Sequence, residues 1–318
     1  MLNLKFTDKQ KNYFLDSISK LRHLHSQIEY LTPDLEYTLR TRFPELLGGF
    51  IPCLKQHTCF GSPFNRIVIN KSVREDGVNG RLHTFEQIKY PPESVLKKVG
   101  YNRANLPNKS IFYAGYGKLN VGLEIKPKIG CLITESEWLQ KQESSINYLP
   151  IFHKREIVIR NSEFEEDWIG YKAFLEKLDK NVSIVVEQLY DFIADVFIAE
   201  VNSENKIEYI ISALFSDLFL FDPKFNIDCI YYPGVQIGLI SSNIAIKPNV
   251  LESLFDIIEV TEKICTFSDD DCNKKYFTHR TGNAIDIQNC YGNITWANTI
   301  ISDLSVLKLI EDYKVDLS

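Results

Sequence analysis

Apolar residues in the first forty positions recur at helical spacing. Phe14, Ile18, Leu21 and Ile28 share a face, and Thr7 followed by Gln10 has the form of a capping box, so a helix is expected from Thr7 to about Thr32. Thr32-Pro33-Asp34 restarts the count, with Thr as cap and Pro in the first turn, and the second helix is expected to stop before Phe43-Pro44. The period then shortens. Residues 64–70 (FNRIVIN), Ser110 to Tyr113, Ile129 to Thr134, Ile157 to Ile159, Asp228 to Pro233 and Ser241 to Pro248 are brief apolar runs and read as strands, the first of them buried. The Glu- and Gln-rich stretch around Trp138 reads as solvated. Beyond Asp167 the texture turns helical: Val185, Val186, Leu189, Phe192, Ile193, Val196 and Phe197 make a wide stripe that packs on a sheet, and Tyr209 to Phe221 makes another. A last amphipathic helix is expected near Ile301 to Tyr313. Strands and helices mixed in this way define an α/β protein of the α+β kind.

With 318 residues there is enough chain for a sizeable core, and the apolar and charged fractions, 44% and 25%, are those of an ordinary globular chain. A net charge of −6 disfavours nonspecific binding to nucleic acid or to an anionic membrane, while leaving room for a local basic pocket and a phosphate-bearing small molecule. Seven cysteines occur with no CxxC, which speaks against a zinc ribbon or a thioredoxin-type centre and fits a reducing cytoplasm; no metal is expected. No apolar run reaches the roughly 20 residues a membrane helix needs, and the first residues lack a leader-like apolar stretch. His23 and His25 have no third ligand near them, and His279-Arg280 reads as a surface pair.

Chemistry concentrates between Tyr90 and Glu124. Arg103 lies in a polar Asn-Arg-Ala-Asn loop, where a guanidinium can fork onto phosphate or carboxylate oxygens. A short strand then ends at Tyr113 beside the small residues Ala114 and Gly115, and Glu124 follows in an otherwise apolar segment, as a candidate buried acid. Arg66, protruding from its strand, needs an anion or an acid such as Glu86.

Arg66 in FNRIVIN, Tyr90-Pro91-Pro92, Arg103-Ala104-Asn105, Phe112-Tyr113-Ala114, Glu124, Tyr232-Pro233-Gly234-Val235 and the run from Asn243 to Pro248 stand in an order that resembles the RES domain family. The resemblance covers residues 64–248, roughly three fifths of the chain, and departs where the family has YPS and this chain has YPG, with Gly234 in place of the serine. Ser241 or Ser242 would be its nearest substitute. The resemblance implies an ADP-ribosyltransferase-like core of two small sheets forming a cleft, with helices added at both ends. With a boundary in the connection from Pro44 to Pro63, which holds Gly48-Gly49 and Gly61, three consecutive blocks are expected: an N-terminal helical region over 1–60, the NAD-binding domain that the resemblance implies over 61–250 and a partly helical extension over 251–318. NAD would be the substrate, with no cofactor held permanently. Arg66 and Arg103 would hold the dinucleotide or a phosphate, together with Asn105, Gly234 and Asn243; Tyr113 would pack on the nicotinamide; Glu124 would stabilise the ribosyl cation. The ADP-ribosyl group would pass to inorganic phosphate or water, in a phosphorylase or glycohydrolase that acts as a toxin restrained by an antitoxin protein. A catalytically impaired nucleotide- or partner-binding domain and a protein ADP-ribosyltransferase are the other readings. The terminal extensions would serve an antitoxin or a homodimer.

Overall fold

The computed structural model describes residues 3–28, 32–201, 206–236, 238–269, 275–287 and 292–318. Thr7 and Gln10 close the anticipated capping box, opening α1 (Asp8–Ser26). The expected continuation to Thr32 is not seen up to Ile28, and 29–31 lie outside the described residues. Thr32 caps α2 (Pro33–Leu46), which runs on through Pro44 instead of ending before it. Pro44 cannot donate and its ring crowds the preceding turn, so Arg42 leaves helical geometry at φ −123° and the helix kinks there.

The middle of the chain continues with β1 (Gln56–Thr58), β2 (Phe64–Ile69), α3 (Asn70–Val73), β3 (Phe112–Gly115), α4 (Lys118–Ile125), β4 (Leu132–Gln140) and β5 (Ile146–Pro150). The solvated stretch expected around Trp138 is part of β4, with Trp138 only 2% exposed. Its glutamates are tolerated in a strand because each meets a lysine: Glu135 pairs with Lys263, and Glu137 with Lys118 at 2.6 Å. Next come α5 (Arg155–Arg160), α6 (Glu165–Glu176), α7 (Lys180–Ile198) and α8 (Ile210–Phe221). The strand expected at Ile157 to Ile159 is helical; three apolar residues in a row do not set a period, and Ile159 stays exposed.

The rest comprises β6 (Cys229–Pro233), β7 (Ser242–Ile246), α9 (Pro248–Leu254), β8 (Phe255–Asp269), β9 (Lys275–Ile285), β10 (Thr295–Asn298) and α10 (Leu304–Asp312). The terminal amphipathic helix is where the pattern put it. The three strands before it were not legible: charged residues interrupt the alternation of β8 and β9, and β10, Thr-Trp-Ala-Asn, is too short to show one. Glu262, in the middle of β8, is fully buried against Arg81 at 2.8 Å.

The fold is mixed α/β, and the chain folds as two interleaved compact units: 1–57 with 100–109 and 147–242, and 58–99 with 110–146 and 243–318. Three consecutive blocks were expected. The N-terminal helices instead share a unit with α7, and the C-terminal segment adds strands to the sheet that contains β2 and β3.

In the first unit α1 lies along α7, where Arg22 pairs with Asp191 at 2.8 Å and with Asp195. Beneath them Phe192, Phe215 and Phe219 are packed ring on ring. The strand order there is β1-β5-β6, with β5 and β6 parallel. His153 follows β5 and is 5% exposed, stacked on Phe152 at 4.2 Å and flanked by Tyr171 and Tyr190 at 4.6 and 4.4 Å.

Burial pushes the His153 pKa down from 6.5 to about 3. A base depressed in the native state is neutral there while its unfolded counterpart takes up a proton, so stability falls as pH drops below 6.5. From pH 7 to pH 5 the wild type should lose about 2 kcal/mol that His153→Leu does not lose, by urea unfolding at both pH values. Asp167, raised by burial to about 6, biases stability the other way, but it is common to both proteins and cancels in the comparison.

In the second unit the strand order is β7-β3-β2-β4-β8-β9-β10 among the described residues, with every neighbouring pair antiparallel. That is a larger sheet than the small ones the family resemblance implies. α4 packs across β2, where Val121 and Ile125 meet Ile67, Ile69 and Ile133.

Candidate functional site

Glu124 sits on α4, an eight-residue helix held from several sides. Gly117 opens it at φ +80° and Lys126 closes it in the left-handed region. Lys118 reaches down to Glu137 at 2.6 Å and to Glu259 at 2.8 Å. The phenol end of Tyr276 of β9 lies against Gly122, where an added Cβ would come within 1.9 Å of it, and its hydroxyl donates to the Lys118 carbonyl at 3.0 Å. These contacts set the height of the helix above the sheet. Val121 and Ile125 take the inward positions, leaving Glu124 half-buried where full burial was expected.

Strand register says which side chains share that surface. Asn65 pairs with Gly115, and Gly115 with Asn243, so these three form one row across β2, β3 and β7. Tyr113 and its partner Ala245 lie two positions along, on the same face. The Asn243 amide donates to Glu124 Oε1 at 3.4 Å. An acid, an amide and a phenol thus occupy one face of the sheet, and the small residues Gly115 and Ala245 keep the floor between strands low.

Arg66 leaves β2 from the opposite face, with Phe64, because successive side chains alternate. Its guanidinium lies 5.2 Å from the Phe112 ring and donates to the carbonyls of Ile88 at 2.9 Å and Tyr113 at 2.8 Å. The acid partner expected for it, Glu86 among the choices, is replaced by main-chain oxygens. Loss of water lowers its pKa to about 10, and it stays protonated at neutral pH. Its visible action is to fasten the strand that carries Tyr113.

Arg103, Asn105 and Gly234 belong to the first unit. Arg103 does fork onto oxygens, but they are carbonyls: those of Phe197 and, at 3.2 Å, Ala199, at the C-terminal end of α7, with Tyr209 beneath at 5.0 Å. A cation there satisfies carbonyls the helix leaves open and meets the negative end of its dipole. Arg103→Met should therefore destabilise the protein by about 2 kcal/mol, with faster amide exchange over 195–199. Asn105 is buried, and its amide donates to the carbonyls of Gly100 and Leu106, at 3.1 and 2.9 Å, which shapes the loop. The Gly234 N–H donates to the Ser241 carbonyl at 2.8 Å, and its carbonyl accepts from Leu239 at 2.9 Å.

The single cavity expected to gather Arg66, Arg103, Tyr113 and Glu124 is not formed within either unit. Tyr113, Glu124 and Asn243 are together; Arg66 is behind their sheet; Arg103, Asn105 and Gly234 are tied into the other unit.

Ser242, the substitute considered for the missing serine, donates to Glu163 Oε2 at 2.6 Å and accepts from the Asn161 amide at 2.8 Å. The Tyr231 hydroxyl donates to the same Glu163 oxygen at 2.6 Å. Glu163 was not singled out from sequence. It lies in the short turn Ser162–Phe164 just before α6, in a run of acids that continues into the helix, and nothing in that run marks the residue that folds back onto Tyr231 and Ser242.

Among the described residues no group of three or more His, Cys, Asp or Glu could hold a metal ion, and no helix is long and apolar enough to cross a membrane. No family model matches the chain, and no curated protein matches it.

Proposed function

We propose that the protein cleaves the bond between nicotinamide and ribose in NAD and passes the ADP-ribosyl group to water. The observation that carries this reading is the Glu124 carboxylate held by Asn243 on the sheet face it shares with Tyr113. As the C–N bond breaks, its electron pair leaves with nicotinamide, which departs neutral without needing a proton. Positive charge then develops on the ribose, where a fixed carboxylate stabilises it as in glycoside cleavage. Water adds to the anomeric carbon and releases a proton, giving ADP-ribose. Tyr113 supplies a ring for the nicotinamide, and the antiparallel sheet with α4 across it plays the part of an ADP-ribosyltransferase-like core.

Water is favoured over phosphate as acceptor because the groups assigned to an anion already donate elsewhere: Arg66 and Arg103 to carbonyls, and the Gly234 N–H to Ser241. Incubating folded protein with NAD should release nicotinamide and ADP-ribose without added phosphate, followed by chromatography. A phosphorylated ADP-ribose formed only with phosphate would restore the phosphorylase reading. Saturable NAD binding without product would select the impaired binding domain, a reading favoured by the same occupied guanidiniums.

A further inference from the structure

Within the first unit a cavity of about 240 Å³ opens between the segment 53–56, the residues that follow β5 and helix α6. We propose that it binds a monocarboxylate with an apolar body, the body resting on aromatic rings and the carboxylate paired with Lys55.

Burial sorts the lining into a floor and a rim. Phe152, His153 and Tyr171 are 1%, 5% and 4% exposed and form the floor. The ring nitrogens of His153 and the hydroxyl of Tyr171 are sealed from solvent, so these two side chains turn carbon toward the cavity. Burial also holds the imidazole neutral, its pKa pushed down to about 3. Leu54 and Phe174, half-buried, extend the apolar surface toward the opening. Water finds few partners over such a floor, whereas a hydrocarbon body gains by covering it. An apolar cavity of about 150 Å³ holds a benzene ring, so this one takes a body of about six to eight carbons.

The rim carries the charge. Lys55 is exposed and is the only charged residue of the lining, which contains no carboxylate. Among the described residues Lys55 has no ion-pair partner. Burial raises the pKa of the neighbouring Cys53 thiol to about 11, and the Lys55 charge works against that rise, so the ammonium is within electrostatic reach of the lining. A carboxylate at the rim meets that ammonium, and a cationic head is repelled by it. Gly170 stands on the same rim, exposed and one turn before Phe174 on α6. An added Cβ there would meet nothing within 4 Å. Glycine is a poor helix former, and at this position its lack of a side chain leaves the entrance clear. The site shares no residue with Glu124, Tyr113 and Asn243, so the inference does not depend on the NAD reading.

The test is calorimetric titration of the full chain with octanoate, 1-octanol and acetate. Octanoate should bind about fivefold more tightly than octanol, as one exposed ion pair contributes, and acetate should not bind at millimolar concentration. Lys55→Met, at an exposed position, should abolish the preference and leave octanol affinity unchanged. Gly170→Leu should weaken both long-chain probes at least about tenfold, because its side chain takes the place of several methylenes of ligand. Its Tm should not fall, since leucine is the better helix former. Equal binding of octanoate and octanol, a preference that survives Lys55→Met, or an octanoate affinity untouched by Gly170→Leu would each overturn the proposal. So would acetate binding as tightly as octanoate, or no octanoate binding at millimolar concentration.

Discussion

Glu124→Gln should lower nicotinamide release from NAD by at least about a hundredfold in kcat, the usual cost of removing one fixed electrostatic partner of a transition state. Glutamine keeps the shape and can still meet Asn243, so the helix has no cause to move, and what disappears is the negative charge that the proposed reaction sets against the developing ribosyl cation. Because that charge matters only once the C–N bond has begun to break, KM for NAD should change little. Asn243→Ala acts through the carboxylate it orients, 3.4 Å away. It should cost roughly tenfold and be partly rescued by Asn243→Gln. Steady-state kinetics on the three variants, with circular dichroism to show that each is folded, decides the matter. Full turnover by Glu124→Gln would remove the carboxylate from the chemistry.

The largest effect on stability is expected at Arg81 and Glu262. Arg81 Nε lies 3.2 Å from each Glu262 oxygen, and Arg81 also donates to Asn298 Oδ1 at 2.7 Å, with the Trp296 ring 5.4 Å away. Glu262 accepts in addition from Thr281 at 2.8 Å, so the charge is surrounded by donors in the middle of the long β8–β9 pair. Such a pair is weakly stabilising as a whole, because removing two ions from water offsets most of their attraction. Removing one member is different. Arg81→Met leaves a bare carboxylate with no water, and should cost about 3–5 kcal/mol in urea unfolding. Arg81→Met combined with Glu262→Leu should recover most of that loss, since the stranded charge is gone. A single variant within about 1 kcal/mol of wild type would show that water reaches the pair.

Much of the helical framework was legible because capping and periodicity are local. Thr7 with Gln10, Thr32 with Pro33, and the stripe from Val185 to Phe197 each state their structure within a few turns of chain. The strands legible from sequence, β2, β3, β6 and β7, were apolar runs. The start of β4 was legible as well, in the run from Ile129 to Thr134; its continuation, and β8, carry charges that find opposite charges far along the chain: Glu135 with Lys263, Glu137 with Lys118, Glu262 with Arg81. No window of sequence reveals such a pairing, so a central strand passes for a solvated one. The site shows the same limit. A lone acid in an apolar segment was visible in Glu124, and its neighbour Asn243 was visible in the run before Pro248. What an arginine bonds to is not visible, because carbonyls at a helix end or a strand edge attract a guanidinium as a phosphate does.

Tyr276 resting on Gly122 gives the C-terminal segment an importance its sequence did not announce. The phenol is a shim between hairpin and helix, and its reach sets how deep the carboxylate rides. Any larger residue at 122 would have to jack the helix upward or evict the ring. Either way the acid would drift from its amide neighbour, so a methyl group placed two residues from Glu124, on another side of the helix, would detune the proposed site without entering it.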